Sequence, residues 1–512
     1  MNSNNEEKTY IEISGGINDC ILMNIVSDST LDKLSKVLAF AQERENKPLT
    51  LIITDLCDED DNRSNLYANM ARVLRSHRVK RIISIGSDLA VYSVFFSTIN
   101  ITRFADVNSL LNSLGYMEFR NEAILMFGKG LHDVTERLEE RHNETSLKVS
   151  LDNIIANYRF YHQFLKSETK VVAMVKAQSY GAGAVEVSKT LKTIGVSYLA
   201  VAGTDEGSEL RRAGVDLPIL VLNPRIPKFR ELFAGSLEPE IFSLELCQAI
   251  INEANKRGIK NFPVHIKIDT GMHRLGFLKE QLPELLDLLK GQDAITPRSV
   301  FAHLAVADSI NEQMDAYTLK QFAYFDECVA MIKQEFPKVI CHHLNTAGII
   351  RFSDHQYDMV RLGIGLYGTP ILPDGSDSSI KQVSSLHTRI IAIKDWSAND
   401  TIGYGRRGVL DRDSRIATIP IGYADGLDRH LSNRRYSVWV NGVRCPIVGN
   451  ICMDACMVDI TDAPTETTVG TDVEIFGEHI SVNEMAETLD TIPYEVLTSV
   501  APRVKRIYTI HI

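Results

Sequence analysis

Val171-Val172-Ala173-Met174-Val175-Lys176-Ala177-Gln178-Ser179-Tyr180-Gly181-Ala182-Gly183 is the stretch on which the fold turns. The apolar run reads as a core strand, and it ends on a lysine ahead of a Gly- and Ala-rich turn. An ammonium at the end of a buried strand is disfavoured by desolvation, which lowers its pKa and suits it to form an imine. The same residue also fits a lysine that merely snorkels out of a strand end. The company Lys176 keeps along the chain decides between the two readings.

Strand and helix patterns alternate beyond it, with predicted strands at 198–202, 219–222, 264–268, 299–303 and 342–345. Such a repeat over roughly 230 residues predicts a (β/α)8 barrel rather than an open sheet. Chemistry-bearing groups fall at the ends of these strands, on the face where such barrels place their sites. Lys176 ends the first. Lys267 and Asp269, with Thr270 to Arg274, follow a middle strand, His303 ends another, and Asn345 and Thr346 follow the next. Arg361-Leu362-Gly363-Ile364-Gly365 comes last. The Thr346 hydroxyl and the backbone N–H groups around Gly363 and Ile364 form a candidate cradle for a phosphate, since glycine lets the backbone approach closely. Any one of these residues also has a bland reading, as a buried histidine is usually a satisfied core residue. Taken together with a second cluster, Gly422-Tyr423-Ala424-Asp425-Gly426, they suggest pyridoxal phosphate held through both its aldehyde and its phosphate.

The flanking segments differ in pattern. Residues 1–140 alternate short apolar strands (21–25, 49–53, 81–85, 123–127) with amphipathic stretches (31–44, 64–77), which predicts a Rossmann-like α/β domain. The charged segment Glu136 to Glu144 reads as a helix end running into a hinge. The barrel is placed at 145–385. From 386 to 512 short strands, among them 389–393, 415–419, 437–440, 456–460 and 471–476, predict a mostly-β domain.

Composition bounds the function. A length of 512 residues allows roughly three domains of about 150 residues. The net charge of −11 argues against a nucleic-acid or anionic-membrane surface. Met1 to Glu7 lacks the basic and apolar regions of a signal peptide, and no apolar run is long enough to span a bilayer, so the expected location is the cytoplasm. The eight cysteines are scattered and read as reduced thiols. Neither Cys452 with Cys456 nor Cys341 with His342 and His343 supplies a four-ligand set, so no metal is expected.

The string VVAMVKAQSYGAG resembles the cofactor-lysine motif of alanine racemases. KIDTGMHRLG (267–276), HLAVAD (303–308), HLNTAG (343–348), VRLGIGLYG (360–368), GYADG (422–426) and VGNICMD (448–454) are similar to that family's other landmarks, in the same order. The resemblance covers about residues 145–512 and implies a fold-type III enzyme, a barrel plus a β domain, acting on alanine as a head-to-tail homodimer with shared active sites. It makes Lys176 the cofactor-bearing lysine and one catalytic base, and Tyr423, from the partner chain, the other. It implies that Arg361 faces the pyridine nitrogen, that His303 bridges Arg361 and Tyr423 and lowers the phenol's pKa, and that Arg274 contacts the substrate carboxylate. Tyr180, Asn345, Thr346, Gly363 and Ile364 stand on the cofactor side, and Met453 with Asp454 borders the substrate from the partner chain. Lys267 matches a lysine that many members carry as a carbamate; an unmodified salt-bridging lysine is the other reading. Two departures stand out: Pro502 occupies a position where many members have a tyrosine, and His273 stands where glycine is common.

Residues 8 to about 140 resemble, more faintly, the C-terminal domain of the Mur ligase that adds D-alanyl-D-alanine to the peptidoglycan precursor, a ligase that some bacteria fuse ahead of an alanine racemase. The run from Lys80 to Gly86 carries that likeness. No Gly-x-x-x-x-Gly-Lys-Ser/Thr phosphate loop occurs in the chain. The motif regions read Asn24-Ile25-Val26-Ser27-Asp28 and Phe127-Gly128-Lys129-Gly130 in place of the ligase patterns. The expectation is a degenerate domain without ligase activity, either docking to a separate Mur ligase, stabilising the dimer or aiding solubility, in a chain that is whole or a fragment of a longer fusion. The leading reading is interconversion of L- and D-alanine for peptidoglycan synthesis. A PLP-binding scaffold, a racemase of broader specificity and a fold-type III decarboxylase are the alternatives; the scaffold predicts loss of Tyr423, and Arg361 opposes the strong electron sink a decarboxylase favours.

Overall fold

The computed structural model describes residues 9–25, 28–58, 62–140 and 144–512. Met1 to Glu7, the centre of the charged hinge segment at 141–143, and positions 26 and 27 of the first ligase-like motif lie outside the described residues. Two compact units emerge: one from Met1–Asp152, Ser385–Phe476 and Pro502–Ile512, the other from Asn153–Ser384 and Gly477–Ala501.

The second unit is a closed barrel of eight parallel strands: Lys170–Met174, Tyr198–Val201, Ile219–Val221, Leu237–Ile241, Phe262–Lys267, Ile295–Phe301, Ile340–His342 and Met359–Leu362. The ring closes where Met359–Leu362 pairs with Lys170–Met174, aligning Arg361 with Val172. Helices cover the outside by the usual amphipathic logic. Leu244–Lys256 starts at Ser243, whose side chain accepts from the Leu246 N–H, and it buries Leu246, Cys247, Ile250, Ile251 and Ala254. Each such leucine-sized side chain contributes about 1.5–3 kcal/mol by leaving water.

Some strands differ from the sequence reading. Leu237-Glu238-Pro239-Glu240-Ile241 has no strand-like composition, with two glutamates and a proline, yet all five residues are buried in the ring. The strand expected at 342–345 is Ile340–His342, and Asn345 instead caps the helix Thr346–Arg351, its Oδ1 accepting from the Gly348 N–H at 3.0 Å. His303 lies beyond the end of its strand, Ile295–Phe301.

The first unit is organised by one continuous sheet. Its N-terminal part runs Tyr10–Gly16, Cys20–Ile25, Ala123–Phe127, Leu49–Thr54, Arg81–Ile85, Ile101–Phe104, with all but the first of these parallel. A core of Leu22, Ile52, Ile83, Leu110, Phe119, Ile124 and Val134 lies against it. Tyr10–Gly16 pairs antiparallel with Lys505–His511, which pairs parallel with Ser146–Ser150 on its other side. The last strand of the chain therefore joins the N-terminal layer to the β-rich C-terminal strands. The single strand expected at 389–393 resolves into two, Ser384–Arg389 and Ala392–Trp396, separated by Ile390 and Ile391. All eight cysteines are free thiols. Among the described residues, no helix is long and apolar enough to cross a membrane, and no group of three or more His, Cys, Asp or Glu is arranged to hold a metal ion.

Candidate active site

Lys176 opens an unusual turn. Ala177, Gln178, Ser179 and Tyr180 all have φ between 51° and 54°, a full turn in the left-handed region with no glycine in it. Each such residue costs about 1–2 kcal/mol, so the surroundings must impose the conformation. Glu206 does part of this: one carboxylate oxygen accepts from the Ala177 N–H and the other from the Ala202 N–H, both at 2.7 Å. The Gln178 amide donates to Glu209 at 2.8 Å. Gly181, at φ +83°, closes the turn where a Cβ would lie 2.2 Å from the Leu497 carbonyl. The left-handed turn brings the Tyr180 ring back between Tyr367 and Tyr494, with centroids 4.7 and 5.9 Å away.

Lys176 and Tyr180 share a cavity of about 530 Å³ at the C-terminal ends of the barrel strands, with Lys267, Arg274, His303 and Arg361 also on its wall. The Lys176 amine forms no hydrogen bond or ion pair among the described residues. Burial lowers its pKa, and Arg274 adds to the effect. An unpaired amine biased towards its neutral form is a nucleophile and a base.

Thr346 and Gly363 meet on another part of the wall. The Gly363 N–H donates to the Thr346 hydroxyl at 2.9 Å, and a Cβ on Gly363 would lie 3.1 Å from the Tyr180 hydroxyl. Two hydroxyls therefore converge beside the start of the turn Ile364–Tyr367, whose first N–H groups have no partner within the turn. Asn345 serves as the cap that begins Thr346–Arg351. Donors around a space that a side chain would fill fit a phosphate.

Arg361 is 4% exposed, and its terminal nitrogens are committed. Nη1 donates to His342 Nδ1 at 3.0 Å and to the His342 carbonyl at 3.1 Å. Nη2 donates to the carbonyls of Ala302 and, at 3.0 Å, His343. Among the described residues, Nε–H has no acceptor. Burial pulls the guanidinium down to about 9, which leaves it charged at neutral pH. His303 Nδ1 stands 3.5 Å from Nη2, at the limit of a hydrogen bond, and burial beside Arg361 keeps its imidazole neutral.

Arg274 is exposed on the loop after Phe262–Lys267. Asp269 organises that loop by accepting from the N–H groups of Gly271 and His273, each at 3.0 Å. His273 has a φ of 53°, so the residue standing in a glycine's place does occupy the left-handed region. Lys267 lies over the Phe301 ring, 4.3 Å from its centroid. Beside it is a residue the sequence reading missed. Glu240 lines the same cavity, burial raises its pKa, and Lys267 leads the cations that oppose this. Burial lowers that of Lys267 in turn, opposed first by Glu240. Glu240 lacked any sequence signal because its strand did not look like one. Tyr494, also on the cavity wall, was equally silent.

In the other unit, Tyr423, Met453 and Asp454 come together on adjoining turns. The Tyr423 N–H donates to the Cys452 carbonyl at 3.1 Å and the Ala424 N–H to the Met453 carbonyl at 3.0 Å. Gly422 is required there, since a Cβ would lie 2.3 Å from the Met453 oxygen. Arg503 ties the turns, donating to Asp425 at 2.8 Å and Asp454 at 2.7 Å. It follows directly on Pro502. Tyr423 and Met453 are 45% and 54% exposed, large side chains offered to solvent.

Comparison with known proteins matches two family descriptions to the chain: alanine racemase, N-terminal domain, at residues 149–370, and alanine racemase, C-terminal domain, at 383–508. Among curated relatives, alanine racemase of Clostridium novyi is 37% identical over 372 residues, covering 70% of this chain and 94% of its own length. Alanine racemase 1 of Oceanobacillus iheyensis is 38% identical, covering 71% and 97%. Among solved structures, alanine racemase of Clostridium difficile 630 aligns with a TM-score of 0.68 at 36% identity, covering 71% of this chain and 95% of that one. Alanine racemase of Bartonella henselae, solved with covalently bound pyridoxal phosphate, aligns at 0.64 and 31%, covering 71% and 99%.

Proposed function

The chain belongs to the alanine racemase family, and from that premise we propose that Lys176 and Tyr423 act as its two bases. It is a pyridoxal-phosphate-dependent isomerase that interconverts L- and D-alanine. The observation that carries the site assignment is the joint placement, on one cavity wall, of an unpaired buried amine, an anion cradle and a buried guanidinium with one free N–H.

Lys176 would hold the cofactor's aldehyde carbon, Tyr180, Thr346, Gly363 and Ile364 its phosphate, and Asn345 would stand with them on the cofactor side. When bound, the cofactor supplies an electron-withdrawing system that acidifies the Cα–H of the amino acid attached to it. Lys176 takes or returns the proton at Nζ on one face, and the Tyr423 phenol oxygen of a second copy does so on the other, which inverts the centre. Arg361 would face the pyridine nitrogen, and a fixed cation there would disfavour protonation of that nitrogen, favouring simple proton transfer. His303 links Arg361 to the incoming Tyr423. Arg274, with Met453 and Asp454 of the second copy, borders the substrate carboxylate. Lys267 as a carbamate would orient Arg274 by its negative charge; an unmodified salt-bridging lysine is the other reading. The exposed Tyr423 and Met453 support assembly as a homodimer whose second copy completes each site.

The domain reading follows the same lines: a degenerate Mur-ligase-like layer at 1–140 without ligase activity, which docks to a separate ligase or supports the dimer, a cofactor barrel at 145–385 and a β domain at 386–512, working in the cytoplasm to supply D-alanine for peptidoglycan. The test is chiral analysis of product from L-alanine, paired with the visible absorbance of the purified protein before and after borohydride. Conversion towards equal amounts of both enantiomers with a reducible chromophore that maps to Lys176 is expected; a chromophore without conversion overturns the assignment of the two bases.

A further inference from the structure

A line of buried polar side chains crosses the barrel interior behind Arg361. His342 Nε2 is 2.9 Å from Ser299 Oγ, Ser299 Oγ is 2.6 Å from His265 Nδ1, and His265 Nε2 is 2.9 Å from Glu238 Oε2. Tyr198 donates its hydroxyl to the same Glu238 oxygen at 3.3 Å. His265, Ser299 and His342 are fully buried. None of Glu238, His265 or Ser299 touches the proposed reaction.

We propose that Glu238 is a positioning residue for Arg361, acting through His265, Ser299 and His342, an inference that rests on the functional reading of Arg361 given above. A guanidinium can only donate, so His342 Nδ1 must accept from Arg361 and its proton must sit on Nε2. His342 then donates to Ser299, which passes its single hydroxyl proton to His265 Nδ1. His265 therefore carries its proton on Nε2 and donates to Glu238, which as a carboxylate only accepts. With the donors running this way the line joins a guanidinium to a carboxylate, the arrangement in which hydrogen bonds reinforce one another. Burial keeps His342 neutral, as the line requires.

The alternative order shows why an anion is needed at the far end. With no acceptor at Glu238, the His265 proton is free to move to Nδ1 and point at Ser299. Ser299 then accepts from both imidazoles and donates to neither, or it donates to His342 Nε2 and sets a His342 Nδ1–H against the Arg361 N–H. In both cases the bond from Arg361 to His342 loses the support of the line, and Arg361 is held less firmly towards the pyridine nitrogen.

The test uses the whole chain with 15N-labelled histidine. NMR should show His265 and His342 both neutral, with the proton on Nε2 and Nδ1 as acceptor. Glu238→Gln keeps an acceptor and should retain that tautomer; Glu238→Leu should lose it at His265. Ser299→Ala breaks the line with a small change of volume and removes the acceptor of the His342 Nε2–H, which keeps the proposal testable if Glu238→Leu does not fold. In racemisation, Ser299→Ala and Glu238→Leu should lower kcat by about ten- to a hundredfold with KM for alanine little changed. Wild-type His342 protonated on Nδ1, or an unaltered kcat in both broken variants, overturns the proposal. Absence of racemisation by the wild-type chain would instead sink the functional reading, while the tautomers would still report on the line itself.

Discussion

Leu49–Thr54 and Ala123–Phe127 in the N-terminal layer, and Leu237–Ile241 and Phe262–Lys267 in the barrel, are all inner parallel strands, yet they carry opposite chemistry. The first pair reads LTLIIT and AILMF, the near-continuous apolar run expected of such a strand. The second pair carries Glu238, Glu240, His265 and Lys267, all buried. Burying such groups is unfavourable unless partners are supplied, and the barrel supplies them to Glu238 and His265 by hydrogen bonds that join adjacent strands. Glu240 and Lys267 face the cavity instead. One layer buries apolar side chains, while the other buries charged groups that pair across strands or face the candidate cavity.

The first way to break that comparison is Lys176→Ala, which should cut racemisation by about 10⁴-fold or more while the fold, followed by circular dichroism, persists. Tyr423→Phe comes next: about 10²–10⁴-fold loss in both directions is expected, and a rate within a few-fold of wild type would remove Tyr423 from the two-base assignment. In the apolar layer the loss should appear in stability instead. Ile52→Ala should cost about 2–5 kcal/mol in denaturant unfolding of that layer. Its racemisation rate per folded molecule should remain near wild type; a proportionate drop in kcat would show that the layer reaches the chemistry.

A pH experiment sharpens the contrast from the barrel side. The pKa of Lys176 is lowered on folding, so between its folded value and the unfolded value of about 10.4 the unfolded chain binds more protons. Cofactor-free protein should therefore gain stability as pH rises through that window and lose it as pH falls. Thermal melts of Lys176→Met should lack this component. The smallest effect is expected at His273→Gly, which relieves one left-handed residue and should stabilise by roughly 1 kcal/mol or less.

Much of the site was legible because it lies where strands end. Lys176, His303, Thr346, Arg361 and Gly363 all stand at the close of an apolar run, and the structure gathers them on one cavity. Glu240 and Glu238 were not legible, since Leu237-Glu238-Pro239-Glu240-Ile241 violates the composition that marks a strand. The strand forms because its neighbours, Ile219–Val221 and Phe262–Lys267, pair with its backbone regardless of side chain. The tie between Tyr10–Gly16 and Lys505–His511 was hidden for a different reason: the two strands lie almost the full chain length apart, and nothing local announces the pairing.

The amino-acid sequence by itself determined the periodicities, and with them the barrel, the flanking α/β and β-rich segments and the positions of the polar groups at strand ends. These follow from local rules, since apolar spacing and turn residues act over a few positions. Tertiary structure alone decided the left-handed turn at 177–180, where Glu206, Glu209 and the close approach of Leu497 impose what the local residues disfavour. It alone decided the direction of the hydrogen bonds from Arg361 to Glu238, because a donor order is fixed only when five residues from five strands are brought within bonding distance.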